Sequence, residues 1–216
     1  KTRYYKQVTK LGYFPLTYSP NRLGYEEFLK YNPIEHPIVL QVGGNSPESL
    51  AKCAKYAEIL GYDEINLNVG CPSARVQEGA FGACLMKEPD LVSECCLAMK
   101  RAAQIPVTIK TRLGVDDLDT YEFAKEFINS TSKKAELDHF IVHARKAYLK
   151  VPLIHSALNK SLRGQGLNPK ENRTIPPLHY DRVLRLKQDF PNLEITINGG
   201  FKDIKSVNDE FFVQFG

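Results

Sequence analysis

The chain has 216 residues, 43% hydrophobic and 25% charged, which is apolar material for one full core at the usual ~100–200 residues per domain. No run approaches the roughly 18 consecutive apolar residues of a membrane-spanning helix, and Lys1-Thr2-Arg3-Tyr4-Tyr5 has no signal-peptide character. A net charge of +4 is too mild to mark a nucleic-acid binder by itself. The five cysteines (Cys53, Cys71, Cys84, Cys95, Cys96) form no CxxC pair and no metal-ligand spacing, so a reduced, cytoplasmic chain without a metal is expected.

Residues 1–36 are Tyr- and Pro-rich and show no strand–helix unit. From residue 37 onward, short β-branched runs alternate with amphipathic stretches. Pro37-Ile38-Val39-Leu40-Gln41-Val42 reads as a buried strand ending at Gly43-Gly44. Ser46-Pro47-Glu48 opens a helix, with Ser as N-cap, Pro at the first helical position and Gly61 closing it. Strands are predicted over residues 64–69, 106–110, 140–143 and 194–198, with a sixth at Phe211-Phe212-Val213. Helices are predicted through Leu91, Cys95 and Met99, from Leu118 to Asn129, and from Tyr180 to Gln188.

Strand–helix repetition with continuous apolar strands implies a parallel sheet covered by helices. A doubly wound open sheet and a (β/α)8 barrel compete. Gln41, Asn68, Lys110, His143 and Asn198 each end a strand. A barrel would gather them at its C-terminal mouth, where active sites form, whereas an open sheet would spread them along an edge. That favours an α/β TIM barrel, incomplete at both ends, with residues 1–36 a remnant of its first units and 37–216 its body.

Two loops carry further signal. Leu67-Asn68-Val69-Gly70-Cys71-Pro72-Ser73 turns sharply at a strand end, and Gly79-Ala80-Phe81-Gly82-Ala83-Cys84-Leu85-Met86 reads as a flexible glycine segment presenting one thiol. Lys110, Arg112, His143 and Arg145 add cationic and hydrogen-bonding groups. Asn198-Gly199-Gly200 can turn backbone N–H groups toward a phosphate. Together these residues suit an anion-bearing cofactor at a barrel mouth.

The stretches NVGCPS, GACLM, HARK and PKENR, with QVGG and ITINGG, resemble the tRNA-dihydrouridine synthases, and specifically their A-type subfamily, from about His36 to Gly200. The resemblance implies an FMN enzyme that uses NADPH, or NADH, to reduce a D-loop uridine of tRNA to 5,6-dihydrouridine. It implies that Gln41, Lys110 and His143 contact the flavin and that Asn198, Gly199 and Gly200 hold its phosphate. It implies Cys84 as the proton donor to uracil C5, opposite the hydride delivered to C6. Asn68 is a candidate for the uracil edge and Arg112 for the developing charge. Arg145, Lys170 and Arg173 are expected to contact tRNA phosphates. They belong to a segment, Ala144 to Arg173, with seven cations against one acid and a basic insertion near residues 150–165.

The family's first two strands, its final Gly-Arg and its C-terminal helical domain are not recognisable, so the chain reads as part of a longer protein, and a monomer is expected. Cys71, beside Pro72 at a strand end, is the rival thiol and suits a structural role. Cys53, Cys95 and Cys96 suit the core, and His36, His139, His155 and His179 structural or exposed positions. Two other readings compete with the synthase. An FMN barrel reductase of a small molecule would not need the basic segment, and a non-catalytic tRNA-binding fragment would bind tRNA without flavin.

Overall fold

A computed structural model describes residues 29–150 and 167–201, and the backbone of residues 4–8. Six strands are described: β1 (Tyr4–Val8), β2 (Ile38–Val42), β3 (Glu64–Val69), β4 (Val107–Arg112), β5 (His139–His143) and β6 (Glu194–Asn198). Each pairs in parallel with its neighbours in chain order. A doubly wound sheet reverses its order at a switch point. No reversal occurs among these strands, and continuous winding is the pattern of a (β/α)8 barrel. β1 lies within residues 1–36, the expected remnant of the first barrel units, where the sequence shows no strand–helix unit. Its backbone pairs with β2 in register from Tyr4 opposite Ile38 to Val8 opposite Val42.

The helices are α1 (Pro47–Ile59), α2 (Ala74–Glu78), α3 (Pro89–Ala102), α4 (Tyr121–Ala135) and α5 (Tyr180–Asp189). The Ser46 hydroxyl accepts the Ser49 N–H at the start of α1, as its sequence predicts. α4 begins three residues later than expected, because Thr120 caps it by accepting the Phe123 N–H. It runs on to Ala135, where Glu136 turns left-handed. No described helix is long and apolar enough to cross a membrane.

The strands are not uniformly apolar, contrary to expectation. In β3, Ile65, Leu67 and Val69 are buried in the hydrophobic core with helix residues such as Leu50, Cys95 and Met99. The alternate residues Glu64, Asn66 and Asn68 occupy the other face, as a period of two requires. Thr108, Lys110 and Arg112 alternate in the same way with the buried Ile109 of β4. Parallel register then aligns Gln41 with Asn66, Asn66 with Thr108, Asn68 with Lys110, Arg112 with His143, and His143 with Asn198. The apolar core therefore lies between sheet and helices, and a polar lining covers the inner face.

The glycine segment 79–86 is also more ordered than a flexible lid. Gly82–Lys87 forms a 3-10 turn with Gly82, Ala83, Leu85 and Met86 buried. Gly82 has φ +65°, and a Cβ there would come within 2.6 Å of the Cys71 carbonyl oxygen, so glycine lets this turn press against the NVGCPS loop. The predicted strand at 211–213 and the insertion, apart from Lys150, lie outside the described residues.

Candidate active site

A cavity of about 560 Å³ opens where the strands end, within the usual ~300–1,000 Å³ of small-molecule sites. Gln41, Asn68, Lys110, His143 and Asn198, the five strand-end residues, all line it, as do Arg112, Gly199 and Gly200. Parallel pairing brings these side chains to one end of the sheet although they span more than 150 positions of sequence. Cys71, Pro72 and Arg173 complete the wall nearest the loops.

The wall is cationic. Lys110, Arg112 and Arg173 interact with one another, and no carboxylate pairs with any of them among the described residues. Burial, reinforced by Arg112 and Arg173, draws the Lys110 ammonium down to about 8. His143 is only 8% exposed. Burial first, then the neighbouring cations, lowers its pKa to about 3 and keeps the ring neutral. Its Nδ1 is buried without a hydrogen-bond partner among the described residues. Beside it, Gly199 and Gly200 have φ +105° and +84°. A Cβ at Gly199 would meet His143 Nε2 at 2.8 Å, and one at Gly200 would meet Tyr180 Oη at 2.5 Å. The backbone thus turns through a space that only glycine leaves open.

The NVGCPS loop is folded by Asn68. Its side-chain oxygen accepts the backbone N–H groups of Gly70 at 3.1 Å and Cys71 at 2.9 Å, and its Nδ2 donates to Gln41 Oε1 at 3.0 Å. This Asx-type turn sets Cys71 in the cavity wall beside Lys110 and Arg112. Cys84 is not among the lining residues. Its half-buried side chain packs on the hydrophobic core, where burial raises its thiol pKa against the opposing pull of Lys87. The thiol that meets the cavity is therefore Cys71, not Cys84. The sequence signal was the NxGC spacing, in which an Asn cap fixes the cysteine three residues on.

Arg112 is spent largely on architecture. Its Nε donates to the Gly70 carbonyl at 2.8 Å, and its Nη1 to those of Lys146 and Asn172 at 3.0 and 3.1 Å. One guanidinium thus ties the loops after β3 and β5 to the PKENR turn. Arg145 likewise donates through Nη1 to the Pro176 carbonyl and does not line the cavity. Just before PKENR, Asn168 Oδ1 accepts the Lys170 and Glu171 N–H groups while Glu171 accepts the Asn168 N–H, a reciprocal cap. Asn172, absent from the sequence reading, is fully buried and bridges Tyr148 and Leu167 through both ends of its amide. Lys170 and Arg173 are left exposed at the rim, with only Arg173 reaching the cavity. No group of three or more metal-ligating side chains occurs among the described residues.

Comparison with known proteins identifies the family. The Dihydrouridine synthase (Dus) family matches residues 21–211. The chain is 55% identical over 182 residues to the tRNA-dihydrouridine(20/20a) synthase of Vibrio parahaemolyticus, covering 84% of this chain and 51% of the relative. It is 54% identical over 182 residues to the protein of that name from Escherichia coli K12, covering 84% and 48%, and 52% identical over 186 residues to that of Yersinia pestis, covering 86% and 50%. The chain spans about half the length of the curated relatives it matches. Its winding, its polar strand ends and this match over most of its length agree, and the chain belongs to the dihydrouridine synthase family, whose fold is the TIM barrel.

Proposed function

We propose that the chain forms the catalytic barrel of a tRNA-dihydrouridine synthase that binds FMN, takes electrons from NADPH and converts a D-loop uridine of tRNA to 5,6-dihydrouridine. The observation that carries this reading is the cavity itself, a cationic pocket that, among the described residues, has no carboxylate in its wall and no partner for the buried His143 Nδ1, and that contains a Gly199-Gly200 cradle. These residues fit the cofactor. Lys110, Arg112 and Arg173 supply positive charge, Asn198 and the two glycines a cradle for a phosphate, and Gln41 and His143 hydrogen-bonding groups for the ring and ribityl chain. FMN bound there supplies the hydride for C6 of the uracil.

The chain's own part is to hold groups in place and to move one proton. The Cys71 thiol donates to C5, a role its cavity position supports over Cys84. Lys110 and Arg112 beside it stabilise the thiolate left behind. Asn68 orients the loop and keeps one Nδ2 hydrogen available for the uracil edge. Lys170 and Arg173 stand where phosphates of a bound tRNA would pass, with the target base unstacked to reach the cavity, at a cost of a few kcal/mol.

The visible spectrum of the purified protein tests this. A yellow protein that bleaches with NADPH and recovers on adding unmodified tRNA establishes the acceptor. Recovery with a small molecule alone would make it a reductase of another class. A colourless protein that binds tRNA would leave only a binding role.

A further inference from the structure

Below the cavity a continuous row of side chains crosses the inner face of the sheet. The Cys71 N–H donates to Asn68 Oδ1, Asn68 Nδ2 to Gln41 Oε1 at 3.0 Å, and Gln41 Nε2 to Asn66 Oδ1 at 2.7 Å. Asn66 Nδ2 then donates to Thr108 Oγ1 at 2.8 Å, and the Thr108 hydroxyl to Glu64 Oε1 at 2.5 Å. Every bond runs from donor at the mouth to acceptor at the base. The mouth end imposes that direction: a backbone N–H can only donate, which assigns the oxygen and nitrogen of each amide in turn and leaves the Thr108 hydroxyl to donate to Glu64. Turning any of the three amides over would set donor against donor and acceptor against acceptor at a site that Asn66 (0% exposed), Thr108 (1%) and Glu64 (5%) seal from water.

We infer that Glu64, Asn66 and Thr108, none of which lines the cavity, are positioning residues that lock the amides of Gln41 and Asn68 and hold the Cys71 loop against them. The locked orientation determines what the cavity offers a ligand. Among the described residues, Gln41 has one Nε2 hydrogen and one Oε1 lone pair remaining, and Asn68 has one Nδ2 hydrogen. The ligand-directed part of this inference rests on the proposed flavin site, whereas the relay itself does not.

The test uses the full chain, unmutated and as Thr108→Val, which keeps the shape and removes the hydroxyl, with Thr108→Ser as the conservative control. In the unmutated, ligand-free protein, the Asn66 side-chain amide protons and the Gln41 Nε2 proton bonded to Asn66 should be protected from exchange; free exchange of these protons overturns the relay without any variant. Thr108→Val should speed exchange of the Gly70 and Cys71 backbone amides about tenfold and raise the FMN dissociation constant about tenfold, with Thr108→Ser within about twofold of the original. Unchanged exchange at Gly70 and Cys71 in Thr108→Val would overturn the coupling. Faster exchange with unchanged FMN affinity would overturn the positioning role. Faster exchange in a protein that never binds FMN supports the relay and defeats the flavin reading instead.

Discussion

Asn68 and Cys71, three residues apart, are joined by a 2.9 Å hydrogen bond from the Cys71 backbone N–H to the Asn68 side-chain oxygen. That bond converts a strand end into a turn whose thiol meets the cavity, and it makes Cys71 a part of the site wall instead of a buried filler. Gly82 completes the arrangement, because the Ala83 N–H donates to the Cys71 carbonyl at 2.9 Å just where a side chain would not fit.

The two thiols are predicted to behave oppositely. Cys71→Ala should lower the rate of uridine reduction about 10²–10⁴-fold, the usual cost of losing a positioned proton donor, while flavin binding persists. Cys84→Ala, away from the cavity, should leave the rate nearly unchanged. Single-turnover oxidation of the reduced protein by unmodified tRNA measures both, and the reverse ranking would return the role to Cys84.

Flavin affinity should fall as pH rises through about 8, where Lys110 loses its charge. The sign for stability is the opposite. Between about 8 and the ordinary 10.5 the unfolded chain binds more protons at this lysine than the folded one, so the ligand-free fold gains stability as pH rises across that window. Lys110→Met should flatten both trends, read from flavin titrations and urea melts at a series of pH values.

Removing the Arg112 brace should cost stability before it costs chemistry. Arg112→Met leaves the carbonyls of Gly70, Lys146 and Asn172 without this donor, a loss on the order of 3 kcal/mol at about 1 kcal/mol or more for each. The midpoint of urea unfolding reads it directly. Arg112→Lys should recover only part, since one ammonium cannot reproduce a planar fork spanning three carbonyls.

Lys170 and Arg173 should separate in a binding assay. Replacing both with Ala should reduce the salt slope of tRNA binding by about 2, and Lys170→Ala alone by about 1. Only Arg173→Ala should also weaken FMN binding, because Arg173 alone of the pair lines the cavity. An unaltered salt dependence in the double variant would remove both from the tRNA surface.

Local chemistry was enough to announce several features of this protein. The Ser46 cap, the positions of β2 to β6 and the polar residue near the end of each of those five strands follow from short-range periodicity and capping, whereas β1 does not. The convergence of Gln41, Asn68, Lys110, His143 and Asn198 follows once the strands are parallel and wound in order. The NVGCPS and PKENR motifs pointed to the family by resemblance; in the fold Asn68 turns the first, and Asn168, just before the second, turns it together with Glu171 and Asn172. Tertiary structure decided what those motifs do. Which of two loop cysteines meets the cavity depends on how the 3-10 turn at Gly82 packs beneath the Cys71 loop, a contact between separate segments. Whether Arg112 faces a substrate or three carbonyls depends on loops 34 and 60 residues away. The directed row from Cys71 to Glu64 exists only because register sets Gln41, Asn66 and Thr108 side by side, and no spacing within one strand records the register of its neighbours.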